Sequence, residues 1–539
     1  MSRKSAFFLL FMRLVALMAV LALLPLAPAP AFAARPDPLA RKIEKILADP
    51  EVGRGFWGVE VVSLASGKTL YQQNPDKLFT PASNTKLFTT AATFALIGPE
   101  FRFKTDVETT GAIDKYGRLT GDLVLVGRGD PNLSGRLFPY AAGGPRQLPA
   151  SHVLEDLADE LVRKGLKFID GDVVADDSYF PAQRWAPGWE QDDLVTEYGA
   201  PVSALTLNDN VVYVRIMPAD RPGEKAFIAI EPYADYYRID NRIATTPPGT
   251  GPSKITISRE PGSNDVLLWG TIPQDDPGGT QAIAVDDPAQ FAAQWFRQLL
   301  ERRGIVVYGR ERTHHTEMAN LTTFSVTTRA GAGGGGGSSS AMQPLVLAVH
   351  DSLPLAEDLK LINKISQNLH AELMLRLLGR ERGTAGTIDG GLEVLNGFLA
   401  KAGIKPDEYT LLDGSGMSRQ NLVTPHATVK LLRYAATQPW GDLYRATLPI
   451  GGVDGTLANR FRGTPAEGHV HGKTGSLGHV NALSGYVETL RGDRIAFAIF
   501  VNNHNLQGRK AIEAIDQIVQ AIVEDGAPSA DKKNDKKKK

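Results

Sequence analysis

Two hydrophobic periods run through this chain and divide it into segments. "RKIEKILADP" repeats its apolar positions at helical spacing, whereas "GFWGVEVVS" and "KTLYQQN" are strand-like runs joined by the turn "LASG". "TPASNTKLFTTAATFALIG" returns to helical spacing, with Pro81 suited to a helix start and Gly98 to its stop. From about Arg102 the texture changes. "FKTDVETTG", "RLTGDLVLVG", "FIDGDVVADD", "NVVYVRIMP", "KAFIAIEP" and "DVLLWGTIP" are short β-like runs between turn residues, with one helix, "SHVLEDLADELVRKG", among them. This stretch ends near Asp286, where "DPAQFAAQWFRQLLERRG" restores the helical period. Helices are predicted around 354–379, 388–403 and 424–437, then strands in "GHVHGKTG", "ALSGYVET" and "RIAFAIFVNN". A last amphipathic helix, "GRKAIEAIDQIVQAIVED", places Ile512, Ile515, Val519 and Ile522 on one face.

The expected fold class is α/β of the α+β type. Strands from both chain ends form one antiparallel sheet flanked by helices. Residues 102–285 are a β-rich insert of two subdomains after the Ser83 helix, between segments 34–101 and 286–525 of the sheet domain. "GAGGGGGSSS" (331–340) is a flexible surface loop by composition.

Composition adds a compartment. The chain has 539 residues, 42% hydrophobic and 22% charged, which is globular and long enough for two or three domains. Arg3, Lys4 and Arg13 precede and flank the apolar run "LVALMAVLALLPLA", and "AFA" follows, so residues 1–33 are expected to be a signal peptide cleaved after Ala33. No second apolar run of spanning length follows, so the mature chain is expected to have no integral membrane span. With no cysteine, disulfides, thiol catalysis and cysteine metal sites are excluded, and so is a lipoprotein anchor. A periplasmic or secreted location follows as the expectation. The net charge is −1, but Asp531–Lys539 holds six lysines against two aspartates, which with the signal leaves the body from 34 to 530 at −8. Such a body gives no reason to expect nucleic acid as a partner. The tail from 526 is expected to be disordered; its lysines are of the kind that bind anionic lipid or wall polymers.

Candidate chemistry begins with Ser83 and Lys86, three apart near a helix start and so on one face. A serine needs a base to become a nucleophile. A lysine serves only when neutral, which takes roughly 4–5 kcal/mol of environmental pressure to move its pKa from about 10.4 to near 7. A helix N-terminus, a neighbouring cation and burial all push that way. Alone this spacing is weak, since Ser529 and Lys532 repeat it in the tail. Two further motifs follow in order: Ser366-x-Asn368 at the start of a helical run, and Lys473-Thr474-Gly475 on a strand with Ser476 behind it. Ser-x-x-Lys, Ser-x-Asn and Lys-Thr-Gly in this order are the signature of the serine penicillin-recognising enzymes.

The chain resembles one family of these in particular, the low-molecular-mass class C penicillin-binding proteins, DacB-like D-alanyl-D-alanine carboxypeptidases and endopeptidases. "PASNTKLFTTAA", "GDLVLVGRGDPNLS", "YGAPVSALTLNDN", "INKISQNLHAELMLRLLG", "LLDGSGMSRQNLVTP" and "KTGSLGHVNALSGYV" carry the resemblance over most of the mature chain. The resemblance implies a transpeptidase/β-lactamase-like domain and peptidoglycan stem peptides as substrate, with β-lactam antibiotics as inhibitors. It implies Ser83 as the acylated nucleophile and Lys86 as its base. Ser366 and Lys473 would relay a proton to the leaving amine, and Asn368 would orient Lys86 and the substrate amide. The N–H groups of Ser83 and Ser476 would form the oxyanion hole. Lys473, Thr474 and Ser476 would bind the terminal carboxylate, and Gly475 would leave room for substrate. Strict strand alternation sets Lys473 and Thr474 on opposite faces, so their joint use implies an edge position or a local twist. Gln367 stands where the family often has aspartate.

Met417, Arg419, Tyr198 and Leu477 are candidates to line a peptide side-chain pocket; Asp413 and Gly414 are expected to shape a turn. "LVLVGRGDPN" mimics a dinucleotide fingerprint, but Asp130-Pro131 argues against the required helix. His469, His471 and His479 surround Lys473 like a metal cluster, yet the proposed chemistry needs no metal or other cofactor, and none is expected. "EVLN" (393–396) lacks the spacing of the class A lactamase deacylation motif. A β-lactamase or esterase on the same scaffold, and a non-catalytic wall-binding scaffold, are the alternative functions.

Overall fold

The structure is a computed structural model that describes residues 38–136, 138, 148–233, 235–318, 343–507 and 509–526. The expected signal peptide, the glycine-serine loop, the tail from 527 and the Ser529–Lys532 pair lie outside the described residues. Ten α-helices are described: α1 Pro38–Leu47, α2 Thr85–Leu96, α3 His152–Arg163, α4 Pro288–Arg302, α5 Leu355–Ile365, α6 Asn368–Arg382, α7 Ile388–Lys401, α8 Pro425–Ala436, α9 Gly441–Thr447 and α10 Lys510–Asp525. Among the described residues no helix is long and apolar enough to cross a membrane.

The strands of both chain ends meet in one sheet: β1 Phe56–Ser63, β2 Thr69–Gln73, β3 Val470–Leu477, β4 Val480–Glu488 and β5 Arg494–Asn502. They pair antiparallel in the order β2-β1-β5-β4-β3. The central strand β5 is apolar at nearly every position because both faces are covered. Ile495, Phe497, Ile499 and Val501 join a core with α1 and α10, while Ala496, Ala498 and Phe500 face a core built on α2 and α5 to α8. Alternation of side chains across the strand produces this split. In α10 the buried stripe centres on Ile515, Ile518, Val519 and Ile522, and Ile512 lies at its half-buried margin. The helix predicted over 354–379 is two helices, α5 and α6, broken at Ser366.

The insert has its own core. A five-stranded sheet orders Glu311–Thr316, Val173–Pro181, Leu123–Val126, Lys104–Thr109 and Leu345–Asp351 side by side. Two three-stranded sheets lie within residues 211–284. The packing extends the insert past Asp286: Phe291, Trp295 and Phe296 of α4 share its core, and Leu345–Asp351 pairs with Lys104–Thr109. The chain enters and leaves at one doorway, where Ser352 N–H bonds the Phe103 carbonyl at 3.0 Å and Phe103 N–H bonds Ser352 Oγ at 2.9 Å. Asp130–Leu133 is a strand, so the glycine-rich run before it does not open a helix.

Candidate active site

The approach to Ser83 is pinned to the sheet. Phe79 exchanges backbone hydrogen bonds with Val423 at 2.9 and 2.8 Å. Asn502 clamps both backbone polar groups of Thr80. Phe79 stacks on Phe500 and fills the space above Gly58, where a Cβ would lie 2.4 Å from its ring. Ala82 then takes a left-handed φ of 47°, and Ser83 follows in a 3-10 turn leading into α2. A left-handed alanine is strained and persists only where its surroundings enforce it.

One turn on, Lys86 is fully buried with Nζ 3.0 Å from Ser83 Oγ. The same Nζ lies 2.6 Å from Asn368 Oδ1 and 2.6 Å from the Ser415 carbonyl. Burial lowers its pKa to about 7, against the opposing pull of the Asp413 and Glu372 carboxylates. The geometry suits a neutral amine: two N–H groups serve the two oxygens that can only accept, and the lone pair faces the one hydroxyl that can donate.

The Ser415 carbonyl is itself aimed. Glu372 accepts from Gly414 N–H at 2.9 Å and Ser415 N–H at 2.8 Å, and Glu372 is paired with the buried Arg376. Asp413 accepts from Gly416 N–H, Ser418 N–H, Asn421 and the Trp189 indole, so it does shape the turn, as expected. Gly416 has φ 88° and presses on the Ser83 turn; a Cβ there would lie 1.9 Å from the Ala82 carbonyl. Glu372 and Ser415 are members of this corner that the motifs do not mark. Ser415 acts through its backbone, which a motif cannot show.

The second corner is assembled across the chain. Ser366, between α5 and α6, has φ 66° and ψ 37°. Its Oγ lies 2.9 Å from Lys473 Nζ, which also donates to the Thr474 carbonyl at 3.0 Å. Lys473 is fully buried, and burial followed by the charge of Lys86 holds its pKa well below the usual lysine range. Asn368 joins the corners: its Oδ1 accepts from Lys86, and its Nδ2 donates to the Tyr198 carbonyl of the insert at 3.1 Å. Behind the Ser366 turn lies a buried polar chain. His370 bridges Asp358 at 2.8 Å and Asp209 at 3.2 Å, and Asp209 also takes Arg136 and Gln367. Burial opposes a charge on His370, but the Asp358 and Asp209 carboxylates outweigh it and raise its pKa.

β3 is the edge strand of its sheet, the first of the two arrangements the Lys473–Thr474 alternation required. Lys473 is buried toward Ser366, Thr474 Oγ1 lies 2.8 Å from Thr456 Oγ1, and Ser476 Oγ accepts from Asn481 at 3.2 Å. Asn84 bonds the Lys473 carbonyl at 3.0 Å, tying the strand to the Ser83 turn. Gly475 also makes room inside the protein. A Cβ there would lie 2.6 Å from the Pro81 carbonyl, so its missing side chain admits the protein's own turn.

The four expected pocket residues part company. Tyr198 lines a cavity of about 530 Å³ with Ser366, Gln367 and Asn368, and Met417, Arg419 and Leu477 do not line it. Arg419 pairs with Glu190 of the insert and bonds the Gly478 carbonyl at 3.2 Å, beside Leu477. Met417 is buried in the Asp413 turn. The histidines each have separate surroundings. His469 bonds the Glu488 carbonyl, His479 bonds the His504 carbonyl from a turn with φ 65°, and burial lowers the His471 pKa to about 4. Among the described residues no group of three or more His, Asp or Glu converges on a metal position.

An antiparallel sheet covered by helices on both faces, with two serine–lysine couples meeting at its edge strand, is the construction of the penicillin-recognising serine enzymes. Within that class the chain belongs to the D-Ala-D-Ala carboxypeptidase 3 (S13) family, whose model matches residues 39–324 and 335–522. Family membership makes it a serine-type D-Ala-D-Ala carboxypeptidase. It is 35% identical over 488 residues to a D-alanyl-D-alanine carboxypeptidase of Actinomadura sp. (strain R39), covering 88% of this chain and 83% of that one. It is 30% identical over 493 residues to a penicillin-sensitive carboxypeptidase A of Dictyostelium discoideum, covering 86% of each. The crystal structure of penicillin binding protein 4 (dacB) from Haemophilus influenzae is similar with a TM-score of 0.74 at 25% identity, covering 89% of this chain and 98% of that one.

Proposed function

We propose that the enzyme cuts peptidoglycan stem peptides through a Ser83 acyl-enzyme, with Lys86 as base. Neutral Lys86 takes the Ser83 proton as Oγ attacks the carbonyl of the penultimate D-alanine. Ser366, hydrogen-bonded to Lys473, hands a proton to the departing nitrogen, and water then hydrolyses the ester. Lys473, Thr474 and Ser476 hold the terminal carboxylate on the edge strand, and the N–H groups of Ser83 and Ser476 receive the developing oxyanion, where fixed donors act most strongly. The leaving group is D-alanine in a carboxypeptidase reaction and a second stem in an endopeptidase reaction. A β-lactam enters the same chemistry and leaves slowly. An exported location fits this substrate, and we place the mature chain in the periplasm or outside the cell.

The observation that carries this reading is the fully buried Lys86 amine, 3.0 Å from Ser83 Oγ, with its pKa lowered to about 7. A decayed wall-binding scaffold has no reason to keep a lysine buried at that cost. A β-lactamase reading differs only in deacylation rate. Labelling by a fluorescent penicillin, with D-alanine release from a D-Ala-D-Ala-ended stem peptide, tests the proposal. Wild type is expected to show both and Ser83→Ala neither. Equal labelling of the two proteins would sink the nucleophile assignment.

A further inference from the structure

Ser366 faces two ways. Its Oγ meets Lys473, and its residue lines the 530 Å³ cavity together with Gln367, Asn368 and, from the insert, Glu197, Tyr213 and Glu231. We propose that this cavity receives the leaving strand when a crosslink between two stem peptides is cut, and that it favours leaving strands with few free carboxylates. The inference rests on the roles given above to Ser83 and Ser366.

Position argues for it first. The group that protonates the leaving nitrogen marks where the leaving fragment sits, and the cavity begins at that residue. Met417, Arg419 and Leu477 do not contribute to it. Size argues second. The volume falls within the range of about 300–1,000 Å³ typical of pockets that bury drug-sized ligands, far more than a single departing amino acid needs. A peptide of several residues matches it. Charge supplies the preference. Arg136 lines the cavity but is committed to Asp209. Glu197 and Glu231 are exposed, and among the described residues neither has an ion-pair partner. Among the described lining residues the balance is therefore net negative, which opposes carboxylate-bearing strands, as like charges built against the wrong partner do. Strands whose carboxyls are amidated beyond the one held on the edge strand escape this repulsion.

The reaction needs only water. The crosslink C–N bond breaks as the Ser83 ester C–O bond forms, and the nitrogen leaves with a proton passed through Ser366. Water then splits the ester, restoring the Ser83 hydroxyl and releasing the donor stem as a carboxylate.

The test uses the mature full-length enzyme with three substrates: a D-Ala-D-Ala-ended single stem, a crosslinked dimer with free carboxylates on the leaving strand, and the same dimer amidated at every leaving-strand carboxyl except the one beside the scissile nitrogen, which the edge strand binds. Ala150→Trp, which fills the cavity wall, is expected to lower kcat/KM on both dimers about tenfold while single-stem turnover stays within about twofold. Wild type is expected to prefer the amidated dimer, and the double variant Glu197→Gln with Glu231→Gln to erase that preference by speeding cleavage of the acidic one. Ala150→Trp slowing single stem and dimers alike, or sparing both, would overturn the leaving-strand site. An unchanged preference in the double variant would overturn its charge selectivity. Penicillin labelling, followed in parallel, reports separately on the Ser83 assignment.

Discussion

Ser83 meets its lysine within one helical turn, whereas Ser366 meets its lysine across 107 residues of sequence. Both serines depend on left-handed backbone, at Ala82 before the first and at Ser366 itself. The supports differ. The first corner is held by local helix geometry and by fixed oxygens around Lys86. The second exists only because the α5–α6 break, the edge strand and the Asp209–His370–Asp358 chain converge. Damage to the first should therefore be chemical, and damage behind the second positional.

The largest expected effect separates the two lysines. Lys86→Ala removes the proposed general base and should slow acylation by roughly 10³–10⁴-fold, near the top of the range for such catalysts. Lys473→Ala should cost about 10²–10³-fold, comparable to losing one preorganised charge-stabilising donor, and should also raise KM because the proposed carboxylate ligand is lost. Stopped-flow acylation and steady-state kinetics on both variants check this; identical losses with unchanged KM would erase the distinction. Gly416→Ala comes next. Its φ of 88° and the 1.9 Å approach to the Ala82 carbonyl force the Ser83 turn to move. The expected destabilisation is at least about 1–3 kcal/mol, the usual cost of such backbone strain, measured by denaturant unfolding, with slower acylation alongside.

The smallest effect belongs to the positioning chain. His370→Asn should reduce turnover several-fold while Ser83 still labels with penicillin. Its stability cost carries a pH signature. The folded pKa of His370 is raised above 6.5, so the stabilisation is complete below pH 6.5 and is lost as pH rises through the folded value. The gap in melting temperature between wild type and variant should therefore be widest below pH 6.5 and narrow above it.

The contrast between the corners also explains what was legible in the sequence. Ser83 and Lys86 share a helix face, so spacing alone places them together. Ser366 and Asn368 were read as the start of a helical run, but apolar periodicity continues across the break, and the left-handed Ser366 left no mark in the pattern. The unbroken apolar run of β5 gave away the centre of the sheet, because a strand buried on both faces is apolar at nearly every position. The reach of the insert beyond Asp286 was hidden, because α4 carries the same amphipathic pattern whichever core it joins. The closeness of Gly475 to the Pro81 carbonyl was hidden for a related reason: sequence shows that a side chain is missing but not what lies beside it. Glu372, Ser415 and Thr456 act through long-range or backbone contacts that no short motif encodes.

The central claim is that burial delivers Lys86 as a neutral base near physiological pH. The direct measurement is the pH dependence of the second-order rate of Ser83 acylation by a penicillin, which reports ionisations of the free enzyme. The account predicts a rate that rises about tenfold per pH unit in acid and levels off above about 7, the pKa of Lys86. A profile that stays flat from about pH 5 to 8, or one that climbs toward the ordinary lysine pKa of 10.5, would contradict it.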